Sequence, residues 1–67
     1  MFIKLTKYAE RKMIERGISM AEIEKAIKSG NKYIQKPNKI IAEHGYFAVV
    51  YKKVGNVHYV ITVKPRW

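Results

Sequence analysis

Apolar residues near the start of the chain recur at helical spacing. Ala9 and Met13 lie four residues apart, and Thr6 precedes them at the position of an N-cap, so the pattern predicts a helix over residues 7–16. Gly17 follows at the place where many helices end in a left-handed backbone. The first predicted helix therefore has a defined beginning and a defined end.

A second helix is predicted over residues 20–28. Ser19 and Glu22 have the spacing of a capping box, in which each side chain bonds the backbone N–H of the other residue. Apolar positions then recur every three or four residues, and Gly30 ends the run. The two predicted helices are thus consecutive, with only a tight connection between them.

From residue 31 onward the pattern changes to the alternation and the β-branched runs that are typical of strands. Gly45 and Gly55 indicate tight turns, and the pair Pro37-Asn38 indicates another. A short apolar segment at the other end of the chain predicts one more strand or an extended lead-in. The predicted strands span residues 2–5, 32–35, 40–43, 46–53 and 57–64.

The resulting order, β-α-α-β-β-β-β, predicts a single α+β domain over residues 1–67, with two N-terminal helices packed on an antiparallel meander sheet. A chain of this length builds one thin core, and without cysteine it has no disulfide to reinforce that core. No apolar run is long enough for a secretion signal or a membrane span, so a cytoplasmic location is expected.

Charge extends this picture from fold to function. The chain has fourteen Lys and Arg residues, five acidic residues and a formal net charge of +9, and residues 31–67 hold seven of the bases but only one of the acids. Self-repulsion on this scale destabilises a compact chain, and a polyanionic partner would offset it. The imbalance predicts nucleic-acid binding, with RNA as the leading candidate and an acidic protein as the alternative partner.

Aromatic residues are interspersed with lysines in the second half of the chain, which suits single-stranded RNA because rings stack on unpaired bases while lysines hold phosphates. These aromatics are Tyr33, Tyr46, Phe47, Tyr51, Tyr59 and Trp67. Since one sheet face packs on the helices, about half of the rings are expected to be buried, with two or three exposed. The predicted nucleic-acid contacts are Lys12, Lys32, Lys52, Lys53, Lys64, Arg66 and Tyr51.

Two histidines are candidate proton-transfer groups, because an imidazole titrates near neutral pH and RNA cleavage through a 2′-OH needs an acid and a base. His44 falls at a predicted turn and His58 on the last strand. The alternative is that both are ordinary turn and solvent-facing residues. Their spacing is not that of metal ligands, and no Gly-rich phosphate loop is present, so no metal and no cofactor are expected.

The first predicted helix carries a third candidate feature on one flank. Tyr8, Lys12 and Arg16 recur at every fourth position and would hold or neutralise a phosphate together. The alternative is that Lys12 pairs with Glu15 and that Arg16 covers the core and bonds the last carbonyl groups of its own helix.

Residues 8–19 resemble the N-terminal signature of a family of small prokaryotic domains of unknown function, His-Ala-x-x-Arg-Met-x-x-Arg-Gly-Ile. The matching positions are Ala9, Met13, Arg16, Gly17 and Ile18. Residues 61–63, Ile-Thr-Val, match the end of the family's meander, while Tyr8 and Lys12 stand where the family has His and Arg.

That family resembles the RelE-type toxins, endoribonucleases that act alone or on the ribosome. The resemblance implies a RelE-like fold, metal-free RNA cleavage through the 2′-OH, and neutralisation by an acidic antitoxin protein. The candidate catalytic residues are Arg16, His58, His44 and Tyr8. Two alternatives stay open: a nucleic-acid-binding module without catalysis, and a toxin-like module that binds an acidic protein partner.

Overall fold

The computed structural model describes residues 1–66 and has the predicted order of elements, with every boundary within one residue of its predicted position. The elements are β1 (Phe2–Leu5), α1 (Lys7–Arg16), α2 (Met20–Ser29), β2 (Asn31–Gln35), β3 (Lys39–His44), β4 (Phe47–Val54) and β5 (Val57–Pro65).

The helix ends are set by the side chains that the sequence indicates. The Thr6 hydroxyl oxygen accepts a hydrogen bond from the Ala9 backbone N–H at 3.0 Å. The same hydroxyl donates to the Ile61 carbonyl oxygen at 2.9 Å, which ties the start of α1 to β5. Gly17 ends α1 with φ of 65°, and both bonds of the Ser19–Glu22 capping box are present.

The five strands form one sheet in the order β1-β5-β4-β3-β2. The strands β2 to β5 form the predicted antiparallel meander. At its far edge β1 pairs with β5 in the parallel direction, with Phe2 opposite Val57 and Leu5 opposite Val60. The sheet is therefore mixed. A parallel pair requires a long crossover connection, and here the whole of the chain between β1 and β5 serves as that connection.

Pairing between β4 and β5 contains one irregularity. Val50 pairs with Thr62 and Tyr51 pairs with Val60, so Ile61 is left as an extra residue, a β-bulge. Val60 and Val63 consequently lie on the same sheet face although they are three residues apart. The bulge decides which side chains of β5 point toward the helices.

Both helices lie on one face of the sheet. α1 contacts β5 and β1, while α2 contacts β3 and β4. The residues that form the core between the layers include Ala9, Met13, Ile23, Ile27, Phe47, Val49, Val60 and Val63. No helix within residues 1–66 is long and apolar enough to cross a membrane.

The opposite face of the sheet has no helix over it, yet it has a small apolar floor. Ile41, Ala48 and Val50 are buried there and form a second cluster. Since no helix covers this cluster, longer side chains of the same face must shield it, as the aliphatic stems of lysines commonly do.

Gly30 lies where the end of α2 passes very close to β3. A Cβ atom at this position would lie 2.5 Å from the Ala26 carbonyl oxygen and 2.6 Å from that of Glu43. Its φ of −73° suits any residue, so the constraint is space and not a left-handed backbone. We expect Gly30→Ala to lower the free energy of unfolding by at least about 2 kcal/mol, measured by urea denaturation.

The matched control for this prediction is Ser29→Ala, at the neighbouring exposed position, which should change the free energy of unfolding by less than about 0.5 kcal/mol. A Gly30→Ala variant as stable as the wild type would contradict the close passage of α2 over β3.

Candidate nucleic-acid interface

The sheet face without helices, called the open face from here on, displays four lysines. They are Lys4, Lys39, Lys52 and Lys64. Each alternates along its strand with a residue that packs against the helices, such as Ile3, Ile40 or Tyr51, and successive side chains of a strand point to opposite faces. The open face is therefore cationic above an apolar floor.

Strand register aligns three of these lysines with an exposed tyrosine. Tyr59 of β5 pairs with Lys4 of β1 on one side and with Lys52 of β4 on the other. Ile40 of β3 pairs with Tyr51 of β4, so the next residues outward on these two strands, Lys39 and Lys52, stand at the same level. Directly opposite residues have Cβ atoms about 5 Å apart. These four residues, Lys39, Lys52, Tyr59 and Lys4, are called the cationic row.

The cationic row is unfavourable in the free protein. Lys39 and Lys52 are like charges on neighbouring strands, an arrangement that destabilises a sheet. The only acidic residue in the strands is Glu43. It lies four residues along β3 from Lys39, which is about 13 Å at the rise of a strand and exceeds the screening length of about 8 Å in physiological salt. An anion bound over the row would relieve the repulsion.

Glu43 is moreover engaged by two neighbours. Arg66 Nε lies 3.5 Å from Glu43 Oε1, and the Tyr33 hydroxyl donates to Oε2 at 3.2 Å. Desolvation, this hydrogen bond and the charge of Glu43 together raise the pKa of Tyr33 above its ordinary value, so the hydroxyl stays a donor at neutral pH. Glu43 therefore does little to neutralise the lysines of the row.

The residues that the sequence predicts as nucleic-acid contacts do not all share this face. Lys52 and Lys64 lie on the open face. The Arg66 guanidinium forms an ion pair with Glu43, whose side chain lies on the same face. Lys53 lies on the other face, where it pairs with His58.

The remaining two predicted lysine contacts are engaged elsewhere. The Lys32 ammonium donates to the Lys28 carbonyl oxygen at 3.3 Å. Lys12 pairs with Glu15 at 3.3 Å, as the alternative interpretation of that flank expects, and also lies 5.3 Å from the centre of the Tyr8 ring. Neither lysine belongs to the open face.

Tyr51 is part of the core and not of an RNA-stacking surface. Only 3% of this residue is exposed, and it packs with the residues under the helices. Burial also raises the pKa of Tyr51 above its ordinary value, so its hydroxyl stays protonated at neutral pH. The predicted contact of Tyr51 with nucleic acid is thus corrected, and Tyr59 on the next strand is the aromatic residue of the open face.

Of the second-half aromatic residues that the structure describes, three have exposed side chains, which agrees with the expected two or three. They are Tyr33, Tyr46 and Tyr59. Phe47 is buried like Tyr51, and Trp67 lies outside the described residues. Sequence reasoning missed Tyr59, Lys4 and Lys39 as a group because they come from three strands whose alignment no local pattern reveals.

The two histidines lie at opposite ends of the sheet. His44 pairs with Phe47 at the start of β4, and His58 pairs with Lys53 near its end. Six residues of strand separate the two levels, which is about 20 Å. His58 Nδ1 lies 3.4 Å from the Phe2 carbonyl oxygen. The histidines therefore do not form an acid–base pair with each other.

Arg16 lies at the end of α1 beside a pocket of about 280 Å³. The pocket is lined by Glu15, Arg16, Tyr46, Phe47 and Pro65. His44 contacts the Phe47 ring edge-on at 6.1 Å, so it lies at the same end of the molecule as Arg16. Tyr8 is two helical turns away from Arg16, or about 12 Å. The four candidate catalytic residues thus do not converge as a set.

Comparisons with known proteins agree with this architecture. A family model described as Domain of unknown function (DUF4258) matches residues 5–66. A chain of the toxin–antitoxin complex RelBE2 from Mycobacterium tuberculosis is similar in structure, with a TM-score of 0.72 and 17% identity over 97% of this chain and 96% of that chain. No curated protein matches the sequence. At this identity the likeness shows the fold, which is the α+β fold of that RelE-type complex.

Removing one lysine of the cationic row should stabilise the free protein. We expect Lys52→Gln to raise the free energy of unfolding by about 0.2–1 kcal/mol at low ionic strength, because it removes a like-charge pair. The gain should shrink when the salt concentration is raised to about 0.5 M, because the screening length then falls to a few ångströms.

The control for this stability prediction is Lys25→Gln, an exposed position of α2 in the helix layer that holds four of the five acids. It changes the net charge equally and should bring no gain. Equal thermal midpoints of the two variants at low salt would count against repulsion within the row.

Proposed function

The chain belongs to the DUF4258 family of domains of unknown function, and we propose that this member is a toxin-type module that binds single-stranded RNA on the open face of its sheet. The observation that carries the proposal is the cationic row. Three lysines and a tyrosine from four adjacent strands lie side by side, where like charges oppose folding unless an anion is present.

Single-stranded RNA fits this surface better than a duplex does. Tyr59 is 38% exposed between Lys4 and Lys52, so an unpaired base can stack on its ring while the ammonium groups bind the flanking phosphates. A duplex offers no free base face to the ring. The helix layer is a poor reader of a major groove, because it holds four of the five acids and is nearly balanced in charge.

Binding without cleavage is the form of the proposal that the geometry favours. Cleavage through a 2′-OH needs an acid and a base on either side of one phosphate. His44 and His58 lie outside the open face and at opposite ends of the sheet. Arg16 and Tyr8 lie on α1, which covers the other face. The cationic row itself offers ammonium groups and a phenol, which suit holding a phosphate.

A second candidate function is binding of an acidic protein partner, and the edge strand β2 favours it. All five residues of β2 are exposed, and Ile34 is exposed by 74%. Such an edge can accept a further strand through its free backbone groups. The similar structure is itself a complex of a toxin with an antitoxin. Purification with an acidic protein attached at β2 would support this candidate.

Binding to a labelled single-stranded oligonucleotide should weaken steeply as salt rises. Each phosphate neutralised on a single strand contributes about 0.7 to the log–log slope, so the row should give a slope of about −2 to −3. Lys52→Gln should weaken binding and reduce the slope by about 0.7 to 1. Lys25→Gln should leave both unchanged, and a salt-independent affinity of the wild type would exclude the open face as a phosphate site.

RNA should remain intact in the complex. We expect labelled RNA incubated with the protein in EDTA to keep its length, both with the protein alone and with ribosomes added. Fragments that end in a 2′,3′-cyclic phosphate would instead demonstrate attack by the 2′-OH and contradict binding without cleavage.

A further inference from the structure

Beside the cationic row lies a second row of side chains, which is apolar. Phe2 of β1 and Val54 of β4 both pair with Val57 of β5. All three belong to the open face, since Ile3 and Tyr51 on the same strands point to the helices. Phe2 is 67% exposed and Val54 is 60% exposed. We call Phe2, Val57 and Val54 the apolar row.

The two rows bring two aromatic rings close together. Phe2 stands opposite Val57, and Tyr59 follows two residues later on the same strand and the same face. Phe2 and Tyr59 are therefore diagonal neighbours, about 7–8 Å apart at their backbones. Lys4 and Lys52 flank Tyr59 on either side. Two exposed ring faces and two cations thus share an area of a few residues.

We propose that the open face has two base subsites, with one unpaired base stacked on Phe2 and the adjacent base of the same strand stacked on Tyr59. Lys4 and Lys52 bind the phosphates next to these bases. The inference rests on the proposed RNA binding and adds to it the part of the ligand that the rings recognise. It also assigns a function to Phe2, whose ring otherwise lies exposed without a structural role.

The chemistry of the patch selects this ligand. Aromatic rings favour flat apolar groups, and the adjacent lysines favour an anion, so the ligand must carry both within a short distance. A single-stranded nucleic acid repeats this combination at every nucleotide. Because every base has a π-face, the subsites should accept bases of any identity and require only that they are unpaired.

An anionic membrane surface also combines charge with an apolar interior, but the position of the apolar row argues against it. The turn that joins β4 to β5 consists of Gly55 and Asn56 and lies beyond Val54 and Val57. A polar turn would therefore enter the bilayer ahead of the apolar side chains, at the cost of its hydration.

The test compares RNA with a backbone-matched ligand that has no bases. The wild-type protein is titrated with a short labelled single-stranded RNA and with the same oligomer carrying abasic residues at two adjacent positions. Each stacked base contributes about 1–3 kcal/mol, so the loss of one stack should weaken binding by about 5- to 150-fold. We expect the doubly abasic oligomer to bind at least about 5-fold more weakly at every salt concentration, with an unchanged salt slope.

Variants then locate the two subsites. Phe2→Leu and Tyr59→Leu keep an apolar side chain but remove the ring, and each should weaken binding of the intact RNA by about 5-fold or more. Tyr59→Phe keeps the ring and should bind like the wild type. Tyr33→Leu, on the same face but on the edge strand β2, three strands from Tyr59, is the matched control and should bind normally. Both target residues are exposed, so thermal midpoints near that of the wild type verify folding.

The outcomes separate this inference from the proposal on which it rests. Salt-dependent binding of the intact RNA, with equal affinity for the abasic oligomer, would leave the phosphate site standing and overturn the base subsites. The absence of any RNA binding would overturn both. Association with anionic lipid vesicles that Phe2→Leu and Tyr59→Leu abolish, together with unchanged RNA binding, would assign the rings to a membrane and overturn the base subsites.

Discussion

The pairing of β5 with β1 on one side and with β4 on the other decides what each face of the sheet presents. Val60 and Leu5 are opposite each other in this register and pack under the helices, so Tyr59 and Lys4 must point the other way. A slip of one residue would exchange the two sets of side chains. The Thr6 hydroxyl, bonded to the Ile61 carbonyl oxygen, ties the chain between β1 and α1 to this register. The core and the binding surface therefore depend on the same backbone pairing.

Charge is distributed between the two layers in a way that follows from this arrangement. The strands and their connections hold eight of the fourteen bases but only one of the five acids, whereas the helices hold the other four acids. The helix layer is thus close to balance, and the excess charge is found in the sheet. Lysines of the open face also neighbour the small cluster around Val50, with Lys64 opposite Ala48, and aliphatic stems at such positions can cover apolar groups. The same side chains that would bind a polyanion are therefore placed where they can keep apolar groups from water.

The local signals in the sequence predicted the elements because caps and turn glycines determine where helices and strands begin and end. Thr6, Gly17 and the Ser19–Glu22 box act at the positions where the structure has them. The site was less predictable, since its members come from strands that are far apart in sequence and meet only through parallel pairing. Regular alternation from the buried Val63 would have placed Tyr59 inside and Val60 outside. The bulge reverses this expectation, so Tyr59 lies on the open face, while Tyr51, the RNA contact predicted from the sequence, is buried.

The extra residue at Ile61 changes which positions of the strand β5 face outward. Before it, the odd-numbered positions of β5 face outward, and after it the even-numbered ones do. A relative that lacks this residue would alternate without interruption and still present the same two surfaces. A correct sequence alignment of this chain with such a relative would therefore need a one-residue gap in the middle of an otherwise continuous strand. Alignment without the gap would match outward residues of one protein with buried residues of the other, and the shared surface would be missed.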